Sequence, residues 1–252
     1  FRSLRDVVEV RVTLDMALAD DVVAVWKDRQ DPRIDAALDE MDARSQSELG
    51  QFFTPIEAAQ LIASMPRLPE AGRVRVLDPG AGSGVLTAAL VSRVLSQRPG
   101  LTLEVVAVER DAAVLPRLRA TLSACEDLSG GRVKTEVIEA DFILDSLGLG
   151  ARLHLDGQFD LVIENPPYGK LGVASPYRRA LRAAGVDAPN LYAAFLALSV
   201  SSLRNGGQIV AITPRSFFNG PYFSAFRAHL LDSVALERVH VFDSRTTVFA
   251  DT

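Results

Sequence analysis

Asn165-Pro166-Pro167-Tyr168 stands directly after the apolar run Leu161-Val162-Ile163, so the sequence predicts it at the end of a buried strand. Its residue types suit one kind of chemistry. An amine conjugated to a ring or a carbonyl is a poor nucleophile because its lone pair is delocalised. A site that makes it react must localise that pair with two acceptors placed on the amine hydrogens. The Asn165 amide oxygen is one such acceptor and the Pro166 carbonyl the other, while the two prolines fix φ and stiffen the turn that presents them. Tyr168 can stack on a planar substrate. Transfer of an electrophilic group to that nitrogen needs alignment, and hydrogen bonds that strengthen as positive charge develops, rather than a base of tuned pKa. The same four residues also satisfy a plain turn.

Three other strand ends carry residues of complementary character. Asp78-Pro79-Gly80-Ala81-Gly82-Ser83-Gly84 joins a strand to a helix, where glycines permit a tight turn and close approach of a ligand to the backbone. The spacing is Gly-x-Gly-x-Gly with Val85 next, so it departs from the Gly-x-Gly-x-x-Gly of dinucleotide sites and disfavours NAD. Asp78, Gly80, Ala81, Gly82 and Gly84 are its candidate binding residues. Glu109, followed by Arg110, ends the second strand, where a carboxylate can accept both hydrogens of a ribose diol. Asp141-Phe142 follows the third strand and offers an acceptor for an adenine amine beside an aromatic face. Each feature alone has an ordinary structural explanation; together they point to an adenosine-containing ligand.

The elements that position these residues alternate. Val74–Leu77, Leu103–Val108, Thr135–Ile138, Phe159–Ile163 and Gln208–Ile212 read as strands. Val85–Leu95, Ala112–Cys125 and Leu191–Leu203 read as helices. Such alternation predicts an α/β fold of Rossmann-like type, a mostly parallel sheet with helices on both faces and ligands at the carboxyl ends of the strands. Residues 1–44 mix an alternating stretch (Val8, Val10, Val12, Leu14, Met16) with helix-like segments, leaving strand against helix open. They are taken as a mostly helical arm before a catalytic domain at residues 45–252.

Composition narrows the classes further. The chain has 252 residues, 48% of them hydrophobic, enough for a full core. No apolar run approaches the ~18 residues of a membrane span, and the expectation is a cytoplasmic protein. Phe1 in place of Met suggests a processed or excised fragment. Cys125 is the only cysteine and the three histidines lack ligand-like spacing, so no metal is expected. The net charge of −5 argues against a uniformly basic nucleic-acid coat but leaves room for one positive face. Lys170, Arg178, Arg179 and Arg182 lie in the acid-free segment from Asn165 to Val186. They are candidate phosphate contacts, or simply a solvated helix face.

In this order the motifs resemble those of the gamma class of DNA N6-adenine methyltransferases of restriction–modification systems, from Gly50 to the end. Gly50-Gln51-Phe52-Phe53-Thr54-Pro55 is similar to the segment before the glycine loop, which implies that Phe53, Thr54 and Pro55 line the methionine end of S-adenosylmethionine. Thr54 and Pro55 equally fit a helix N-cap and first turn. Asn190–Phe195 and Gly206–Phe217 resemble later structural motifs of the class. Val241–Phe249 resembles its last catalytic motif and implies that Phe249, in preference to Phe242, stacks on the target adenine. The resemblance further implies a class I S-adenosylmethionine-dependent methyltransferase fold, double-stranded DNA as partner, base flipping and a prokaryotic restriction–modification or phage-defence setting. It also implies a target-recognition domain, expected to be either missing from this segment or provided by a separate chain. Glutamine methyltransferases of release factors share the tetrapeptide; residues 50–55 and 241–249 favour DNA over them, and over RNA guanine as substrate. A noncatalytic cofactor- or DNA-binding module is the alternative of another class.

Overall fold

The computed structural model describes residues 8–10, 54, 56–149, 155, 157–214 and 221–239. Strands β1 (Val8–Val10), β2 (Ala71–Pro79), β3 (Gly100–Glu109), β4 (Val133–Glu139), β5 (Phe159–Glu164), β6 (Leu203–Ala211) and β7 (Val234–Leu236) form one sheet. Their order is β4-β3-β2-β5-β6-β1-β7. All described pairings are parallel. From β2 the chain winds outward through β3 and β4, then returns to the other side of β2 as β5 and winds outward again. The neighbours β2 and β5 therefore mark the reversal of winding, where a crevice opens beyond the strand ends.

Both faces of the sheet are covered, which is why its strands read as near-continuous apolar runs. On one face Val76, Leu161, Ile163 and Val210 pack with α1 (Ile56–Ser64), α2 (Val85–Gln97) and, through Cys125, α3 (Leu115–Leu128). On the other, Leu77, Val162 and Ile209 pack with α4 (Phe142–Ser146), α6 (Leu191–Ser202) and α7 (Ser224–Ser233); α5 (Pro176–Ala183) joins this side through Leu181. Helix α6 is buried from Tyr192 through Ser199 without a polar stripe. It lies between the sheet and the flanking α4 and α7, and only its last turn, at Ser201, is exposed to water. Each large side chain fully buried here contributes roughly 1.5–3 kcal/mol.

The expected α/β alternation is the observed one, with strands one to five residues longer than their apolar centres. In the opening segment, where alternation left strand against helix open, Val8–Val10 is a strand. It pairs in parallel with both β6 and β7, giving the β6 edge a partner. The remainder of the segment read as a helical arm lies outside the described residues. Helix α1, which follows Thr54, is fixed at its far end by Arg93 of α2. Its Nη1 donates to the carbonyls of Ala63 and Pro66 at 2.7 and 3.0 Å.

Candidate active site

The loop leaving β2 turns on three left-handed glycines, Gly80, Gly82 and Gly84, with φ of 68°, 55° and 82°. Two requirements differ along it. A Cβ on Gly80 would stand 3.2 Å from Phe195 Cε1, and one on Gly84 would stand 3.0 Å from Leu118 Cδ1, so these two glycines let α6 and α3 approach the loop. A Cβ on Gly82 would meet nothing within 4 Å, because Gly82 borders a cavity that opens to solvent. The amides of Gly80 and Ala81 donate to the Val108 carbonyl at 2.8 and 3.0 Å, tying the loop to the end of β3.

Glu109, 4% exposed, completes that tie. Its Oε2 accepts from the Gly82 amide at 2.9 Å, and its Oε1 from the amides of Arg110 and Asp111 at 2.8 and 2.9 Å. Since a carboxylate offers about four lone-pair sites, the acid that stitches the loop retains acceptor capacity on Oε2 toward the cavity. Asp141 works similarly at the end of β4. Its Oδ1 caps α4 by accepting from Leu144 N at 3.0 Å, while Oδ2 accepts from Tyr177 Oη at 2.5 Å and from Arg110 Nη1 at 3.2 Å. Phe142 lies against Phe195 with ring centroids 5.0 Å apart and, though only 3% exposed, lines the cavity.

The tetrapeptide closes the opposite wall. The Asn165 Nδ2 donates to Thr54 Oγ1 at 2.9 Å and its Oδ1 accepts from the Tyr168 hydroxyl at 2.8 Å, which fixes the two ends of the amide in opposite directions. Immediately beyond, Gly169 O accepts from Leu191 N at 2.9 Å, and Lys170 bridges Asn190. Asn190 caps α6 through Ala193 N at 3.1 Å. A Cβ on Gly169 would meet Leu191 Cδ1 at 2.8 Å. The Asn190–Leu191 segment is thus what seats the tetrapeptide against the buried helix, in keeping with the structural reading given to it from sequence.

Two carboxyls behind the cavity are buried without full pairing. Asp78, 1% exposed, accepts from Thr87 Oγ1 at 2.7 Å and leaves Oδ1 without a partner. Glu164, 0% exposed, accepts from Ser199 Oγ at 2.8 Å and leaves Oε1 without one. Burial pushes Asp78 up to about 7 against the lowering effect of the Thr87 bond, and Glu164 up to about 8 against that of Ser199. Neither lines the cavity, although Asp78 is among the binding residues expected from sequence.

Of the residues singled out from sequence, the cavity gathers Thr54, Gly80, Ala81, Gly82, Glu109 and Arg110 on one side. Asp141, Phe142 and the whole tetrapeptide Asn165–Tyr168 line the rest. Asp78 and Gly84 support it from behind. Phe53, Pro55, Phe242 and Phe249 lie outside the described residues. Of the basic set, Lys170, Arg179 and Arg182 are exposed. Arg178 turns inward, 3.9 Å from Asp187 Oδ1 and 3.4 Å from the Leu171 carbonyl. The residue missed was Tyr177, which lines the cavity from α5. The only signal for it was an aromatic directly before Arg178 in a segment read for charge alone. Among the described residues no group of three or more His, Cys, Asp or Glu is placed to hold a metal, and no helix is long and apolar enough to cross a membrane.

Residues 123–249, half of the chain, match the family described as Eco57I restriction-modification methylase. The chain is 40% identical over 216 residues to the Type II methyltransferase M.BsuBI of Bacillus subtilis, an alignment covering 82% of this chain and 42% of that protein. It is 35% identical over 218 residues to the Type II methyltransferase M.PstI of Providencia stuartii, covering 85% and 43%. The chain thus spans about two fifths of the length of these curated relatives. Among solved structures, the type I restriction-modification system methyltransferase subunit of Streptococcus thermophilus superposes with a TM-score of 0.54 at 25% identity, over 77% of this chain and 41% of that one. A Listeria monocytogenes protein described as a class I S-adenosylmethionine-dependent methyltransferase superposes with a TM-score of 0.57 at 16% identity, over 77% and 55%. The sheet with helices on both faces is the class I methyltransferase fold.

Proposed function

The chain belongs to the Eco57I restriction-modification methylase family, and from that premise we propose that its cavity is the reaction centre of a DNA adenine N6-methyltransferase of the gamma class, acting with S-adenosylmethionine. The observation that carries the reading is the orientation of Asn165. With Nδ2 donating to Thr54 and Oδ1 turned the other way to accept from Tyr168, the amide directs its acceptor end away from Thr54, and an acceptor is what a conjugated amine requires. The names of the relatives, Type II methyltransferases, support transfer to DNA. Their greater length supports a target-recognition part beyond the segment matched here.

The residues present fit the cofactor. The open backbone at Gly82, the spare acceptor on Glu109 and the Asp141–Phe142 pair suit a glycine-loop contact, a ribose diol and an adenine in that order. When bound, S-adenosylmethionine supplies an electrophilic methyl on a sulfonium. Asn165 Oδ1, an amide oxygen that accepts from the Tyr168 hydroxyl, is the acceptor proposed for the target amine. The Pro166 carbonyl serves as the second acceptor. Together they draw the nitrogen lone pair out of the ring and aim it at the methyl. Both acceptors would bind more tightly as positive charge develops on the amine nitrogen that receives the methyl, and the proton this nitrogen then gives up would pass to water in the solvent-open cavity. The adenine must leave the duplex to reach both acceptors, with Tyr168 as one stacking face and Phe249 as the other.

The test is an Asn165→Ala variant assayed with methyl-labelled S-adenosylmethionine, offering duplex DNA and release factor as competing acceptors. Label is expected in DNA with the parent chain and nowhere with the variant, while cofactor affinity stays within about twofold. Label in the release factor, or equal loss of cofactor binding in the variant, overturns the reading.

A further inference from the structure

Asp141 has more donors than an adenine pocket requires. Its Oδ1 is engaged by the Leu144 amide. Both lone-pair sites of Oδ2 are taken, one by the Tyr177 hydroxyl at 2.5 Å and one by Arg110 Nη1 at 3.2 Å. The same Arg110 nitrogen donates to Tyr177 Oη at 2.8 Å, closing a three-membered network at the cavity wall. By count, one acceptor site remains on the carboxylate, on Oδ1. The network holds the carboxylate in one orientation at the cavity wall, with Oδ2 occupied by its two donors.

Tyr177 is held firmly enough to do this. Ser175 caps α5 by accepting from Arg178 N at 3.2 Å, Pro176 opens the helix, and Leu181 one turn on is fully buried. The phenol is held above its ordinary range, first by burial and then by its bond to the Asp141 carboxylate, so it remains a donor throughout neutral pH. The segment between the tetrapeptide and α6 therefore does more than carry positive charge: its helix delivers a side chain into the cavity.

Resting on the proposed adenosyl cofactor, we propose that Tyr177 is a positioning residue that sets the selectivity for adenine in the cofactor, by saturating Asp141 Oδ2 and leaving Oδ1 to accept the adenine amine. An amine donor is rewarded at that oxygen and a carbonyl is repelled. Without the Tyr177 hydroxyl the carboxylate loses one of the two donors on Oδ2, and the distinction weakens.

The experiment measures, by calorimetry, the affinity of the chain and of Tyr177→Phe for S-adenosylhomocysteine and for S-inosylhomocysteine, in which a carbonyl replaces the amine. The parent is expected to favour the adenosyl compound by more than tenfold. Tyr177→Phe is expected to lose about tenfold in affinity for it, with inosyl binding within about twofold of the parent. Arg110→Met, which removes the other donor to Oδ2, shifts the ratio in the same direction and covers the case in which Tyr177→Phe loosens α5. An unchanged adenosyl-to-inosyl ratio in both variants, or equal loss for both compounds, overturns the role of Tyr177. A parent chain that binds neither compound overturns the cofactor reading itself.

Discussion

Thr54 Oγ1 accepts from Asn165 Nδ2 at 2.9 Å across 111 residues of sequence, tying a hydroxyl ahead of α1 to the end of the Asn165 amide opposite the one that meets Tyr168. An asparagine amide that is free to flip presents its NH₂ to an amine half of the time, and donor against donor is repulsive. Thr54→Val, similar in shape but without the hydroxyl, is expected to lower the single-turnover methyl-transfer rate about tenfold, the size of one lost orienting hydrogen bond. Thr54→Ser is expected to restore it. A valine variant as fast as the parent would remove Thr54 from the site's orientation.

The two buried acids give the chain a pH-dependent stability of defined sign. Glu164 is raised from 4.5 to about 8, so between roughly these values the folded chain holds a proton that the unfolded chain has lost. The folded state then binds more protons, and stability falls as pH rises through that window. At about 1.36 kcal/mol per pK unit the effect is on the order of a few kcal/mol. Thermal midpoints of Glu164→Gln measured from pH 5 to 8 are expected to fall less steeply than those of the parent, the residual slope coming from Asp78. Identical slopes would mean that Glu164 titrates alike in both states.

The first and second glycines of the loop should separate by readout. Both adopt positive φ, so an alanine at either is strained by roughly 1–2 kcal/mol. Gly80→Ala adds a methyl 3.2 Å from Phe195 and is expected to show mainly as a lowered thermal midpoint, whereas Gly82→Ala projects into the cavity and is expected to show mainly as weakened cofactor binding. The reverse pattern would place the ligand on the other side of the loop.

Basic residues that looked equivalent in sequence are not equivalent in the fold. Arg179 and Arg182 are exposed on α5, while Arg178 is spent on Asp187 and the Leu171 carbonyl. Reversing charge at Arg179 and Arg182 together is expected to flatten the salt dependence of DNA binding by about 2 in log–log slope, close to 0.9 per phosphate contact. Arg178→Ala is expected to leave the slope alone and lower stability instead. An unchanged slope in the double variant reduces the pair to a solvated face.

What sequence could reveal here was whatever depends on chain-local periodicity. The apolar runs placed β2 through β6, and because ligand sites in a doubly wound sheet lie at strand ends, the glycine loop, Glu109, Asp141 and Asn165 could be read as converging before any coordinates. The bonds that tune those residues are nonlocal and left no periodic trace. Nothing in Tyr177 announces Asp141, 36 residues earlier. Thr54 looked like a helix cap as much as a site residue because both roles use one hydroxyl. Inward-turned Arg178 was indistinguishable from Arg179, since one residue of helical rotation separates a tied guanidinium from a solvated one. The first strand stayed ambiguous because the alternation from Val8 to Met16 stands beside helix-like segments in the same opening stretch.

The central claim is that Asn165 and Pro166 present two acceptors to the exocyclic amine of adenine. Its most direct test is nucleoside analysis of duplex DNA after incubation with methyl-labelled S-adenosylmethionine and the chain supplied with the remaining length of its relatives. All label is predicted in N6-methyl-2′-deoxyadenosine. Label in a methylated cytosine, or in protein in place of DNA, would contradict the account.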